Sequence, residues 1–547
     1  MDDLAPYVYH ALPNNDSIRV LRMLPSDDEA ETRCSLTTIP LREGIKYLTL
    51  SYTWGMDDDD ATLCRSIVVD GQSLRVTQNL YDWLRRCARH GDVWLPIWID
   101  AICINQADVV EKEATVARMA DIYDGAWGLW VWLGRGNDPA DDERLRTMLA
   151  CFGRGSHSHY DQHVVSTNEG RVAKLCLARA ALDATKALRS YQKRKKKEPL
   201  VRSAALPDCV RTLFDVDAVA IAVQEVSRLM RLLLGRRYWS RRWIIQEQAF
   251  SRDGAVWLIW GSSSSTHRGD LLHAIEAMAG RGWQDLNYAF DARIHCEATD
   301  LIELEQKLSS VGDVLRSNIW REPTKAGSPL SDGALFPLLL HLARDSPCSD
   351  PRDIIYALLS FARHTRLQAD YSLTTVQVYV AYYAEMLNDG LSLAEVLNSA
   401  ATRWEIDELT TALPSWCPDP RQFPTRPPVQ ELLGPSDVRP GNLLECTLVL
   451  HGVLGDDGAV VEATASSREI ADHPSAPQTL RLENVIGHNY TSGDLVCGLS
   501  RNETDDMKLI LRVTDIEPPD VRLLASALLL IPAWRQKSHP LIELRIH

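Results

Sequence analysis

A chain of 547 residues exceeds what one ordinary hydrophobic core organises, so two or three packed units are expected. Apolar residues make up 45% and charged residues 24%, proportions that exclude disorder of the whole chain. The formal charge of −15 argues against non-specific attachment to nucleic acid or to an anionic membrane, both of which call for an excess of Lys and Arg.

The twelve cysteines are spread singly from Cys34 to Cys497, without a C-x-x-C pair or zinc-finger spacing. Reduced, buried thiols are the simplest reading, which points to the cytoplasm. The opening stretch MDDLAPYVYH lacks the basic start and apolar run of a secretory signal. The strongest apolar run, Leu523–Trp534, is too short to span a bilayer.

In chain order, residues 1–46 form an N-terminal segment to which the pattern assigns no element. Tyr47–Trp54 (YLTLSYTW) is of strand length and apolar nearly throughout, as expected of a strand covered on both faces. Ile67–Val76 carries Asp70-Gly71 between alternating residues, a hairpin signal. Leu80, Trp83, Leu84 and Cys87 then recur at helical spacing after Asn79, read as the N-cap. Ile97–Ile102 is the next strand, Val116, Met119, Ala120 and Tyr123 the next helical stripe, and Gly128–Gly134 the third strand. After an interruption from about 135 to 236, Ala255–Gly261 is the fourth strand. The alternation implies an α/β domain with a doubly wound parallel sheet over 47–269.

The interruption holds His157, His159 and His163, a helical-looking stretch Arg171–Tyr191 and the basic run Lys193–Lys197. The histidines lack a companion ligand pattern and read as a surface loop, so no metal is assigned. The basic run reads as a solvated loop or helix end, with a nuclear-localisation signal as the alternative. Residues 270–420 read as a helical extension, followed by Pro-rich linker chemistry at Pro414–Pro435. The remainder of 421–547 reads as a small antiparallel β unit, with runs at Leu444–Val453, Val460–Ala463, Leu480–Ile486, Asp494–Leu499 and Lys508–Val513.

Several blocks stand in order: LTLSYTWG at Leu48–Gly55, IWIDAICINQ at Ile97–Gln106 with Glu111, Met119, Ile122, Tyr123 and Ala126 after it, VWLG at Val131–Gly134, and YWSRRWIIQE at Tyr238–Glu247. DPRDIIYALL at Asp350–Leu359, Asp370-Tyr371-Ser372 and LPSWCPD at Leu413–Asp419 follow. Together they resemble the fungal heterokaryon-incompatibility (HET) family, which implies a role in cell death or self/non-self response. The long interruption between the second and third core blocks departs from the family pattern, so spacing alone does not bring those blocks together.

Ligands of open parallel sheets bind beyond the carboxyl ends of the strands. Those ends carry Tyr52, Trp54 and Gly55 on the first strand and Asp100 and Asn105 on and after the second. The segment following the interruption supplies Arg242, Trp243 and Glu247. An indole plane beside a carboxylate suits a flat cation on a ribose, such as the nicotinamide of NAD, and glycosidic-bond chemistry. Ser240, Trp243 and Glu247 also resemble the S/x-W-C-x-x-E stretch of TIR domains, with Ile244 where the cysteine stands. That resemblance implies NAD hydrolysis through Glu247 and activity gained by self-association. On it, Tyr52, Trp54, Gly55, Asp100, Asn105, Arg242 and Trp243 surround the ligand. NAD is then a substrate, no further cofactor is required, and the partner is a second copy or another incompatibility protein. Simpler roles stand beside these: Glu247 pairing with Arg241, Asp100 capping a turn, and Trp54 and Trp243 packing in the core. A non-enzymatic module that signals by assembly is the alternative function. Phosphate-loop, G-x-S-x-G and H-E-x-x-H signatures are absent from the sequence.

Overall fold

A computed structural model describes residues 4–25, 31–41, 44–55, 60–91, 93–136, 138–152, 177–184, 186, 216–262, 264–279, 283, 298–317, 332–344, 346–362, 365–389, 391, 396, 399–400, 407–414 and 416–422, together with the backbone of the strands between 437 and 546. The chain divides into two compact units, Met1–Glu322 and Pro323–His547.

The first unit is built on nine strands: β1 (Ser17–Leu24), β2 (Arg33–Pro40), β3 (Leu48–Tyr52), β4 (Arg65–Val69), β5 (Gln72–Val76), β6 (Ile97–Trp98), β7 (Gly128–Trp132), β8 (Val256–Trp260) and β9 (Ser264–His267). Their order is β5-β4-β2-β1-β6-β3-β7-β8-β9. The four central strands pair parallel, β6 with β3, β3 with β7 and β7 with β8. Numbered along the chain, these four run 2-1-3-4, so the crossovers reverse direction at β3. Such a reversal defines the switch point of a doubly wound sheet. Every residue of β3 is buried, which requires cover on both faces. Gly128 opens β7 where a Cβ would stand 2.9 Å from the Ala255 carbonyl, so glycine permits the close approach of β8.

The flanks are mixed. β1 and β2 form an antiparallel hairpin, and β1 joins β6 through Leu21 opposite Ile97. These two strands lie in the 1–46 segment, where the sequence pattern assigned none. Buried Arg19 of β1 fixes the hairpin, giving its guanidinium to both Glu111 carboxylate oxygens at 2.5 and 3.0 Å. The β4–β5 hairpin turns on Asp70 and Gly71 with φ of 48° and 79°, the double-positive pattern of a type I′ turn.

Helix α1 (Gln78–His90) buries the predicted stripe Leu80, Trp83, Leu84 and Cys87. Its N-cap is Thr77, whose hydroxyl accepts the Leu80 N–H, and not Asn79. Asn79 lies inside the first turn because its amide is drawn into a buried network described below. The expected strand Ile97–Ile102 pairs only at Ile97 and Trp98; from Asp100 the chain turns into α2 (Asp100–Cys103), where the Ile102 and Cys103 N–H groups donate to the Ile99 carbonyl and not to a neighbouring strand. The stripe at 116–123 is divided between α3 (Val109–Val116) and α4 (Met119–Gly125).

Within the interruption, α5 (Pro139–Phe152) and α6 (Val216–Leu234) are described, as is a helical stretch at 177–184. The three histidines, Lys193–Lys197 and, apart from Lys186, the rest of Arg171–Tyr191 lie outside the described residues. A 3₁₀ turn at Arg237–Ser240 leads into α7 (Ile244–Phe250), and α8 (Arg268–Ala279) and α9 (Ala298–Leu315) follow.

The second unit contains α10 (Asp332–Leu342), α11 (Asp353–Tyr356), α12 (Thr375–Asn388) and α13 (Glu408–Ala412). Asp353 opens α11, and Arg352 anchors it by donating to the Tyr371 and Leu373 carbonyls at 2.7 and 2.9 Å. Asp419 of LPSWCPD is buried and paired with Arg421 at 2.5 Å. Strands β10 (Asp437–Arg439), β11 (Leu443–Leu454), β12 (Ala459–Glu462), β13 (Thr479–Gly487), β14 (Leu495–Gly498), β15 (Met507–Val513), β16 (Asp520–Leu529) and β17 (Leu541–Ile546) complete it. Antiparallel pairing runs β11-β12-β13-β16-β15-β14 and returns to β11, closing six strands into a ring. Much of the Pro414–Pro435 linker lies outside the described residues.

Candidate functional site

The carboxyl end of β3 gathers polar groups from five other elements. Its sequence LTLSY carries two hydroxyl residues, Thr49 and Ser51, among apolar and aromatic side chains. The Ser51 hydroxyl donates to Glu247 Oε2 of α7 and lies 2.8 Å from the Tyr238 hydroxyl of the 3₁₀ turn. Gln248 Nε2 donates to the same Tyr238 oxygen at 3.0 Å. Arg241 Nη2 stands 3.6 Å from Glu247 Oε1, and the Glu247 side chain is 2% exposed.

Asp100 borders this cluster at the start of α2. It accepts the Trp54 indole N–H at 2.9 Å and the Ala101 N–H at 2.7 Å. The buried Tyr52 hydroxyl faces Asp100, whereas Arg241 Nη1 makes no hydrogen bond. A donor thus sits unsatisfied within this polar cluster, where an orphaned buried group is costly.

Burial dominates the electrostatics. It pushes Glu247 above the usual carboxylate range, while Arg241 and the Ser51 hydrogen bond pull it back and Asp100 adds to the rise. Asp100 is likewise raised by burial, against Arg241 and the Trp54 hydrogen bond. Burial also lifts the phenols of Tyr52, Tyr123 and Tyr238, which stay protonated. For Arg241, burial opposes the charge, but Glu247 and then Asp100 overcome it, so the guanidinium stays charged. One cation therefore faces two carboxylates, an arrangement that can stabilise a transient positive centre if a ligand displaces the arginine.

The structure brings Glu247, Tyr52, Trp54 and Asp100 together. Trp243 precedes α7 by one residue, half-buried, with its carbonyl accepting the Glu247 N–H. Arg242 is buried beside it, and Gly55 is buried at the end of the β3 loop. Asn105 does not join the cluster through any described hydrogen bond: its side chain accepts the Ala107 N–H at 3.3 Å, and its own N–H goes to Glu111. Ser51, Tyr238 and Gln248 were not singled out from sequence. Hydroxyls within a fully buried strand, here Thr49 and Ser51, are the signal that could have found Ser51.

On the other side of the switch point, the Asn79 amide closes the crevice between β3 and β7. It donates to the Thr53 carbonyl and hydroxyl at 2.7 and 2.9 Å and accepts the Trp132 indole N–H at 2.8 Å. Gly134, at φ 91°, then turns the chain out of β7 so that Arg135 can reach Asp82. Among the described residues no group of three or more His, Cys, Asp or Glu is placed to hold a metal, and no helix is long and apolar enough to cross a membrane.

Residues 47–247 match the family model described as heterokaryon incompatibility protein (HET). Over 170 residues the chain is 35% identical to heterokaryon incompatibility protein 6, OR allele, of Neurospora crassa. That match covers 28% of this chain and 24% of the relative, so it spans about a quarter of the relative's length. No solved structure matches.

Proposed function

We propose that this protein, which carries a HET domain over residues 47–247, acts in fungal incompatibility by cleaving the N-glycosidic bond of NAD. The reading rests on one observation: the Glu247 carboxylate stands at the carboxyl end of β3 with Ser51, Arg241, Tyr52 and the Asp100–Trp54 pair around it. In this reaction the bond between nicotinamide and ribose C1′ breaks, and its electron pair leaves with the ring nitrogen. Glu247 stabilises the oxocarbenium centre, and water attacks C1′ and releases a proton, giving nicotinamide and ADP-ribose. The ribose takes the place of Arg241 beside the carboxylate, and Trp54 or Trp243 offers a face to the nicotinamide. TIR-like chemistry of this kind implies that clustering opens the site.

The near-complete burial of Glu247 favours a second reading, in which the ion pair with Arg241 is a structural clasp and the domain signals by assembling with partners. Nicotinamide release from NAD, followed by chromatography with free and with clustered full-length protein, separates the two. Release by clustered wild type and its loss in Glu247→Gln support the enzyme. Absence of release with intact cell toxicity supports assembly.

A further inference from the structure

The hydrogen bonds around Glu247 have a direction that can be assigned from the chemistry of the groups. Arg268 Nη1 donates to the Gln248 carbonyl at 3.0 Å and faces Gln248 Oε1 at 3.5 Å. A guanidinium has no acceptor, so Oε1 faces Arg268 and the amide nitrogen faces Tyr238. An amide nitrogen only donates. Tyr238 Oη accepts from it and sends its own proton to the oxygen 2.8 Å away, Ser51 Oγ. Ser51, having accepted, sends its proton to Glu247 Oε2. The other carboxylate oxygen, Oε1, faces the donor Arg241.

We propose that Gln248, Tyr238 and Ser51, oriented by Arg268, form a one-way hydrogen-bond relay that confines Glu247 to the acceptor role. A proton on Glu247 costs a donor contact: on Oε2 it would meet Ser51 O–H, and on Oε1 the guanidinium. Reversing the relay fails at its far end, because Gln248 Nε2 cannot accept. Glu247 therefore acts as an anion toward a cationic sugar centre and does not donate a proton as a general acid. Ser51, Tyr238 and Gln248 are positioning residues. The inference rests on reading Glu247 as the reacting carboxylate, and it narrows the chemistry to a leaving group that departs without protonation, as nicotinamide does.

The groups facing Glu247 are Ser51 and Tyr52 from β3, Asp100 from α2, Tyr123 from α4, Tyr238 from the 3₁₀ turn and Arg241. Burial and Asp100 oppose ionisation, and the relay and Arg241 favour it. Loss of a relay link moves the Glu247 titration upward by roughly one pH unit, the usual scale for a hydrogen bond to a charged group.

The test uses the clustered full-length protein and the pH profile of nicotinamide release. Ser51→Ala and Tyr238→Phe are expected to move the acid limb up, with about tenfold less release at a fixed pH on that limb. Ser51→Thr, which keeps the hydroxyl, restores it. Gln248→Glu places an acceptor at the far end, permits reversal and also moves the limb upward. An unmoved limb in folded Ser51→Ala and Tyr238→Phe overturns the relay. If wild type releases no nicotinamide at any pH, the enzymatic reading fails, and the pH dependence of thermal unfolding decides the relay alone. There, Ser51→Ala is expected to alter the profile in the wild-type background and to leave it unchanged in Glu247→Gln. Equal effects in both backgrounds count against the relay.

Discussion

Two buried polar clusters flank the end of β3, and they are built on opposite plans. The Asn79 cluster is neutral and complete: both amide donor hydrogens and its carbonyl have partners, each within 2.9 Å. The Glu247 cluster is charged and incomplete, with three charged side chains and an orphaned polar atom, Arg241 Nη1. A complete neutral network ties strands together at little electrostatic cost. A charged network with an unfilled valence is tolerated where another demand is served, and that contrast is what the proposed site assignment rests on.

The comparison breaks most sharply at Glu247. Glu247→Gln keeps the shape and the acceptor for Ser51 but removes the charge, and is expected to lower nicotinamide release by ~10²–10³ while the protein still folds. Full release from a folded variant removes the catalytic role. Asn79→Ala is expected to do the converse. It strands the Trp132 N–H and the Thr53 carbonyl and costs roughly 2–4 kcal/mol of stability in denaturant unfolding. Its release per folded molecule stays near wild type; a selective loss of activity would erase the distinction between scaffold and site.

A third outcome concerns pH. The folded-state pKa of Glu247 lies above its unfolded value, so the protonated form is favoured by folding. Its stabilising contribution is present below the unfolded pKa and is lost as pH rises through the raised one. Calorimetry from acid to neutral pH is therefore expected to show Glu247→Gln gaining on wild type as pH increases. Wild type gaining on Glu247→Gln as pH increases would mean instead that Arg241 outweighs burial. Smaller effects belong to the periphery. Thr77→Ala removes the cap of α1 and is expected to cost about 1 kcal/mol. Arg135→Ala opens the exposed pair with Asp82 and is expected to cost roughly 0.2–1 kcal/mol, diminishing with added salt.

The four central strands were legible because burial on both faces leaves continuous apolar runs, and the β4–β5 turn because Asp-Gly has a distinct backbone preference. The β1–β2 hairpin was not: RVLRML and RCSLTTIP mix charge with apolar residues, and Arg19 is buried because Glu111 and the Cys103 carbonyl, far along the chain, receive it together with the His10 carbonyl. Asn79 was misread for a related reason. Its type and place fit a helix cap, but Trp132, also distant in sequence, recruits its amide. At the site, motif order pointed to Glu247, Trp54 and Asp100, whereas the relay through Tyr238 depends on contacts across nearly two hundred positions of chain, which no local pattern encodes.

The placement of β1 and β2 has a consequence for how the domain is cut. Although the family match begins at residue 47, β1 lies beside β6 and β2 carries the β4–β5 hairpin, so residues 17–40 are interior to the sheet. A fragment starting at 47 would expose the bonding edge of β6, sever β4 and β5 from their neighbour and leave Glu111 without its arginine. Exposed strand edges recruit other chains. The smallest piece able to fold as a soluble body therefore starts no later than Ser17, and toxicity or clustering seen with a shorter fragment would report on a broken edge as readily as on signalling.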